Sequence, residues 1–147
     1  MFQGAVSLTL DAKGRIAIPA RYREALTPQG QALVLTAHPH KCLLVYPEPV
    51  WAPIRERIVA LPGLDPRTAA LKRLLVGFAQ EEVLDASGRV CVAPSLRQWA
   101  GLEKVVWLVG QGTHFELWSD RAWQAQQEAM ASLVAEDLAG IFGEVVL

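Results

Sequence analysis

Two stretches of the chain place an aspartate, a glycine and an arginine at the same spacing: Asp11-Ala12-Lys13-Gly14-Arg15 and Asp85-Ala86-Ser87-Gly88-Arg89. Arginine presents a planar fork of donors that can grip a phosphate or the O6 and N7 edge of guanine. Around the first stretch Lys13, Arg15, Arg21 and Arg23 gather four positive charges on one turn and the helix expected after it. A basic two-stranded ribbon is one of the shapes that enters a DNA major groove. The same residues allow a plainer reading, in which each Asp–Arg pair only braces a turn. In the second stretch Ser87 and Ser95 stand where the first has Lys13 and Arg21, so that copy should contact nucleic acid less, or serve mainly as scaffold.

Other chemistries find weaker support. His38, His40 and Cys42 alternate as ligands on one strand face could, and His114 is the one histidine left to complete a transition-metal site with them. Pro39 interrupts that strand, and neither CxxC nor HxxxH is present. A loop beside an edge strand is the expectation there, with no metal and no cofactor. Val109-Gly110-Gln111-Gly112 lacks the third glycine and the Lys-Ser/Thr of a nucleotide loop, and reads as a turn. There is no GxSxG, and Asp11 with Asp85 is better explained as one turn written twice than as an acid–base pair. No enzyme is expected.

The elements that must position these arginines come in two copies. Leu10 to Ile18 recurs 74 positions on as Leu84 to Val92, and Arg23 aligns with Arg97. Further along, Leu33-Val34-Leu35 aligns with Val105-Val106-Trp107, Tyr46 with Trp118 and Trp51 with Trp123. Asp at the first and Gly at the fourth position suit a tight turn, read here as a hairpin connection. Its flanks alternate, with Leu8, Leu10, Ile16 and Ile18 on one face and Arg15 and Ala17 on the other; Val90 and Val92 oppose Arg89 and Cys91 in the second copy. Pro19 and Pro94 suit first helical positions, and Gly101 suits the stop of a helix over 94–100. Trp51, Ile54, Ile58 and Leu61 mark a helix ended by Pro62-Gly63, and Asp65-Pro66 opens a second that runs to about Phe78. Ser119 should cap a longer helix whose stripe is Trp123, Met130, Val134, Leu138 and Ile141, a core or subunit-interface face.

Composition bounds the class. With 147 residues, 52% of them hydrophobic and 20% charged, one compact unit or two small halves can bury a core without a disulfide or metal. No apolar run approaches the roughly 18–20 residues of a membrane helix. The opening MFQGAVSLTLDAKGR lacks the apolar region of a secretory signal, which leads us to expect a cytoplasmic address. Cys42 and Cys91 are expected to be free thiols in or near the core. The net charge of −1 hides an asymmetry: residues 1–80 carry ten Lys and Arg against five acids, and residues 81–147 carry four against ten. A polyanionic partner for the basic half is one reading of that imbalance, and a solvated face is the other.

The opening Met1-Phe2-Gln3-Gly4, the paired Asp-x-x-x-Arg motifs, the Pro19 and Arg21-Tyr22-Arg23 run, and the blocks Leu108–Gln111 and Phe115–Trp118 together resemble the MraZ family of bacterial transcriptional regulators over nearly the whole chain. The resemblance implies an α+β fold with a mainly β core: an AbrB-like swapped-hairpin β-barrel built from two repeats and flanked by helices. Residues 1–80 would be the first repeat with its helical pair, and residues 81–147 the second with its C-terminal helix. It further implies a sequence-specific DNA-binding repressor of the division and cell-wall gene cluster, acting on direct repeats upstream of its own operon as a ring-like homo-oligomer in the nucleoid. Neither a membrane nor a small-molecule substrate is implied. The DNA-binding set would be Lys13, Arg15, Arg21, Arg23 and Arg89, with most weight on Arg15, and the structural motif Asp11, Gly14, Asp85 and Gly88. The competing reading is an antitoxin-like module of the same fold, whose helices mask a protein partner.

Overall fold

Alternating aliphatics fix which face of a strand is buried, but not which strand it pairs with. The structure, a computed structural model, describes residues 1–141, of which residues 134–139 and 141 are described by backbone alone. In chain order these residues form β1 (Ala5–Thr9), β2 (Arg15–Ala17), α1 (Ala20–Leu26), β3 (Leu33–Ala37), β4 (Leu43–Pro47), α2 (Glu48–Val59), α3 (Pro66–Leu75), β5 (Gln80–Glu82), β6 (Arg89–Cys91), α4 (Pro94–Ala100), β7 (Val105–Gly110), β8 (Phe115–Ser119) and α5 (Asp120–Ile141). A mixed α and β fold with a large antiparallel sheet results, its strands in the order β1-β7-β8-β4-β3-β5. A separate two-stranded ribbon joins β2 to β6, with Ile16 opposite Val90.

These pairings correct two expectations. The arms on either side of Asp11–Gly14 were expected to pair as a hairpin, but β1 pairs with β7 and β2 with β6. Only the turn itself joins the arms, through Asp11 N–H to Arg15 O at 2.9 Å and Gly14 N–H to Asp11 O at 3.0 Å. The ribbon ladder is extended at both ends by turn carbonyls: Ile18 N–H donates to Gly88 O at 2.9 Å, and Val92 N–H to Gly14 O at 2.7 Å. Nor do the described strands close into a barrel. The sheet ends on β1 and β5, each with one neighbour, because the chain leaves both edges through an Asp-x-x-Gly turn and enters the ribbon instead of adding a further strand.

The register shifts one alignment. Leu8 lies opposite Val106, and Glu82, its counterpart 74 positions on, lies opposite Leu33. Leu33 therefore corresponds to Val106, not Val105. Burial agrees, since Leu33 and Val106 are fully covered while Val105 is 43% exposed.

One face of the sheet is covered by the ribbon with α1 and α4. Ile16, Ile18, Val90 and Val92 pack there with Leu26, Leu96, Leu35, Val45, Leu108, Phe115 and Leu117. On the opposite face α2 and α3 cover β3 and β4, where Trp51 and Ile58 pack on Val34, Leu44 and Tyr46. At the other end Trp123 of α5 packs with Trp107 and Trp118. Cys42 is buried as expected, but Cys91 is exposed. It shares the outward side of β6 with Arg89, because successive side chains on a strand alternate and Val90 and Val92 take the inner side.

Local signals set most helix ends. Asp65 accepts from Arg67 N–H at 2.8 Å at the start of α3, Ser119 accepts from Ala122 N–H at 3.1 Å at the start of α5, and Gly101 closes α4 with φ +61°. Pro94 opens α4 at its first position, whereas Pro19 lies just before α1. Leu61 falls beyond the end of α2 and is exposed, and α3 stops at Leu75, short of Phe78. Of the expected α5 stripe Trp123 is half-buried and Met130 exposed, while the side chains of Val134, Leu138 and Ile141 lie outside the described residues.

Candidate nucleic-acid interface

Each motif turn is organised by its aspartate. Asp11 Oδ1 accepts from Lys13 N–H at 3.0 Å and Arg15 N–H at 2.9 Å, while Oδ2 accepts from Arg15 Nε at 2.8 Å. Asp85 repeats the arrangement with Ser87 N–H, Arg89 N–H and Arg89 Nε, each at 2.9 Å. Hydrogen bonding, first from the arginine backbone N–H, holds both carboxyls below the usual aspartate range. Both therefore stay ionised at neutral pH and keep their arginines oriented. The bracing role is thus built into each turn. It engages only Nε, and among the described residues no protein acceptor meets the terminal NH2 groups of Arg15 or Arg89.

The ribbon then brings the two arginines to one surface. Arg15 lies opposite Cys91 and Ala17 opposite Arg89, so all four side chains share the side away from Ile16 and Val90. Two guanidinium groups sit diagonally on a short antiparallel ribbon, with exposed Lys13 at the first turn. Arg21, also exposed, holds its guanidinium 4.6 Å above the Tyr22 ring.

Arg23 does not join the cluster around the first turn. Its Nε donates to Ile18 O at 2.8 Å, and its guanidinium packs against Gly88 of the second turn. The cause is the strand exchange: β2 runs alongside β6, so the helix after the first turn starts beside the second. The same exchange exposes a residue that sequence reasoning left outside the site. Arg97 Nε donates to Val92 O at 2.9 Å, and its guanidinium packs against Gly14. The alignment of Arg23 with Arg97 was the signal that could have found it.

The histidine and cysteine group forms a different arrangement. His38 and His40 meet ring to ring at 4.8 Å, and His114 stacks on Tyr46 at 4.4 Å. Burial first, then the Glu116 charge, pushes the Cys42 thiol up to about 12, so it stays protonated near neutrality. Among the described residues no three His, Cys, Asp or Glu side chains are grouped to hold a metal ion. No described helix is long and apolar enough to cross a membrane.

The sequence has close relatives among known proteins. The model of the family described as "MraZ protein, putative antitoxin-like" matches the chain twice, over residues 1–74 and 75–140. A protein named Transcriptional regulator MraZ from Aromatoleum aromaticum is 70% identical over 147 residues, covering both chains completely. Proteins of the same name from an Azoarcus species and from Dechloromonas aromatica are 70% and 54% identical, over 94% and 100% of each chain.

Proposed function

The chain belongs to the MraZ family, and from that membership together with the arginine-bearing ribbon we propose that it is a regulator of transcription that binds specific DNA sequences. The observation that carries this reading is the outward face of β2 and β6, where aspartate-anchored Arg15 and Arg89 leave their terminal donors free. Arg15, with Lys13 beside it, reads or positions the DNA. Arg21 and Arg89 add phosphate contacts, and Arg23 contributes at the second turn. Asp11, Gly14, Asp85 and Gly88 shape the turns. Residues 1–80 and 81–147 act as two interwoven repeat units rather than separate domains, since their strands pair across the boundary.

The finer reading follows the family resemblance. The protein represses the division and cell-wall gene cluster by binding direct repeats upstream of its own operon, in the nucleoid and as a ring-like homo-oligomer. Several subunits of one ring on successive repeats would add avidity to a modest affinity per subunit. A near-neutral chain is compatible with this, because steering follows the local basic face and not the net charge.

Fluorescence anisotropy of the wild type and Arg15→Ala on an upstream duplex and a scrambled duplex, at two salt concentrations, tests the reading. The wild type should prefer the upstream duplex. Arg15→Ala should lose specific binding by roughly 10- to 100-fold while keeping the oligomer intact. A mutant that binds normally, or one that falls into monomers, refutes the role of Arg15. A wild type without preference between duplexes favours the antitoxin-like reading, for which α5 offers Met130, 42% exposed, and Leu133, 66% exposed, as an apolar contact.

A further inference from the structure

Arg97 belongs to the acidic half and to none of the contacts described for DNA, yet it closes a loop of interactions around the first motif turn. Val92 spends both backbone groups on that loop: its N–H donates to Gly14 O at 2.7 Å, and its carbonyl accepts from Arg97 Nε at 2.9 Å. The guanidinium so fixed lies flat against Gly14, where a Cβ would stand 2.8 Å from Arg97 Cζ and 3.1 Å from Nη2. Gly14 has φ +80° and no side chain of its own to restrain it. The helix that carries Arg97 is anchored in turn. Trp99 Nε1 donates to His38 O at 2.9 Å, the Lys41 ammonium sits 3.6 Å above the Trp99 ring, and Phe78 packs on it at 5.5 Å.

We propose that Arg97 is a positioning residue for DNA recognition: from the second half it holds the Asp11–Gly14 turn of the first, and with it Lys13 and Arg15, in the geometry that meets DNA. This role rests on the DNA-binding reading above. It also gives the acidic half a part in recognition that needs no phosphate contact of its own. A planar group packed on a glycine face and tied through Nε cannot be replaced by an ammonium, which has neither the plane nor that donor position.

Two variants, Arg97→Lys and Arg97→Ala, separate positioning from contact. Both should bind the upstream duplex about tenfold more weakly than the wild type, as expected for loss of one charge-assisted hydrogen bond. The dependence of affinity on salt should stay at the wild-type slope. Amide hydrogen exchange at Lys13 and Arg15, whose N–H groups donate to Asp11, should speed up in both variants, while exchange at Ser87 and Arg89 stays unchanged. Full binding by Arg97→Lys, or a slope shallower by about 0.9 in Arg97→Ala, would make Arg97 a phosphate contact and overturn the proposal. Unchanged exchange at Lys13 and Arg15 overturns it too, as does equal loosening of both turns, which marks a generally weakened fold. Should the wild type show no preference for the upstream duplex while exchange still reports the brace, the DNA reading fails and the role in recognition falls with it.

Discussion

The turns at Asp11–Arg15 and Asp85–Arg89 share one hydrogen-bond scheme with distances of 2.8–3.0 Å, but they differ in what surrounds it. Lys13 faces solvent in the first turn where the second has Ser87, and Arg21 follows the first where Ser95 follows the second. The braces differ as well. The first turn is held by Arg97 on a helix anchored through Trp99, the second by Arg23 on a helix tethered through the Tyr22 hydroxyl, which donates to Gln3 O at 2.9 Å. Aspartate and glycine set the backbone of a turn, while the residues between and after them set its charge. On the reading proposed above, two turns of equal shape can therefore carry unequal shares of the DNA contact, with the larger share at the first.

Glycine substitution gives the largest expected effect and tests whether the turns are equal in shape. Gly14 and Gly88 have φ +80° and +74°, and each lies under the opposite half's arginine. Gly14→Ala and Gly88→Ala should each cost about 1–3 kcal/mol, the range for a non-glycine residue forced into that backbone region. Urea unfolding should report similar losses for the two. Upstream-duplex binding, measured where both variants remain folded, should fall sharply only in Gly14→Ala. Equal losses of binding would show that both turns meet DNA on the same terms.

A smaller change isolates charge from shape. Lys13 and Ser87 use only their backbone N–H in the turn, so exchanging their side chains leaves its scheme intact. Lys13→Ser should reduce the salt slope by about 0.9 and weaken binding roughly fivefold at moderate salt, with no change in stability. Ser87→Lys should change neither the slope nor the affinity. An increase in slope from Ser87→Lys would put position 87 beside Arg89 against the phosphate backbone and make the two turns more nearly equal.

Short-range signals made part of this legible in advance. The turns, the buried faces of β2 and β6, the Asp65 and Ser119 caps and the Gly101 stop all depend on residues within a few positions of one another. What escaped was set by distant pairing. The alternation of Ile16 and Ile18 was correct, yet it could not say that β2 would lie against β6 rather than β1. That one exchange moved Arg23 to the opposite turn and brought Arg97 to Gly14. For Cys91 two expectations conflicted: the usual burial of cysteine put it near the core, the strand alternation put it beside Arg89, and the exposed thiol follows the alternation. The one-residue slip between Leu33 and Val105 arose because the loops of the two halves differ in length, which motif alignment does not see and strand register does.

The smallest expected effect concerns the anchor of α4 and turns on pH. His38 Nδ1 accepts from His40 N–H at 3.1 Å, and its carbonyl accepts from both Lys41 N–H at 3.0 Å and Trp99 Nε1 at 2.9 Å. Burial first, then the nearby His40, lowers the His38 pKa, while Glu116 works against both. His114 is lowered too, mainly by burial, with Glu116 raising it and His38 lowering it. The folded chain thus favours neutral His38, and the unfolded chain takes up a proton first as pH falls below about 6.5. Stability is full above that value and declines as pH falls through the lower folded pKa. Protonation at Nδ1 would also cancel the acceptor that His40 N–H uses. Asparagine supplies an acceptor of similar reach without titrating, so His38→Asn should keep the turn and flatten part of the pH dependence. Between pH 8 and 5.5 the wild type should lose more stability than the variant, by less than about 1 kcal/mol, the size of one hydrogen bond. Protection of the Lys13 and Arg15 amides, taken relative to the intrinsic exchange rate at each pH, should fall on acidification in the wild type more than in His38→Asn, and protection at Ser87 and Arg89 should not show that difference. A difference of the same size at both turns would mean that His38 acts on the fold as a whole, and the brace on the first turn would lose its separate anchor.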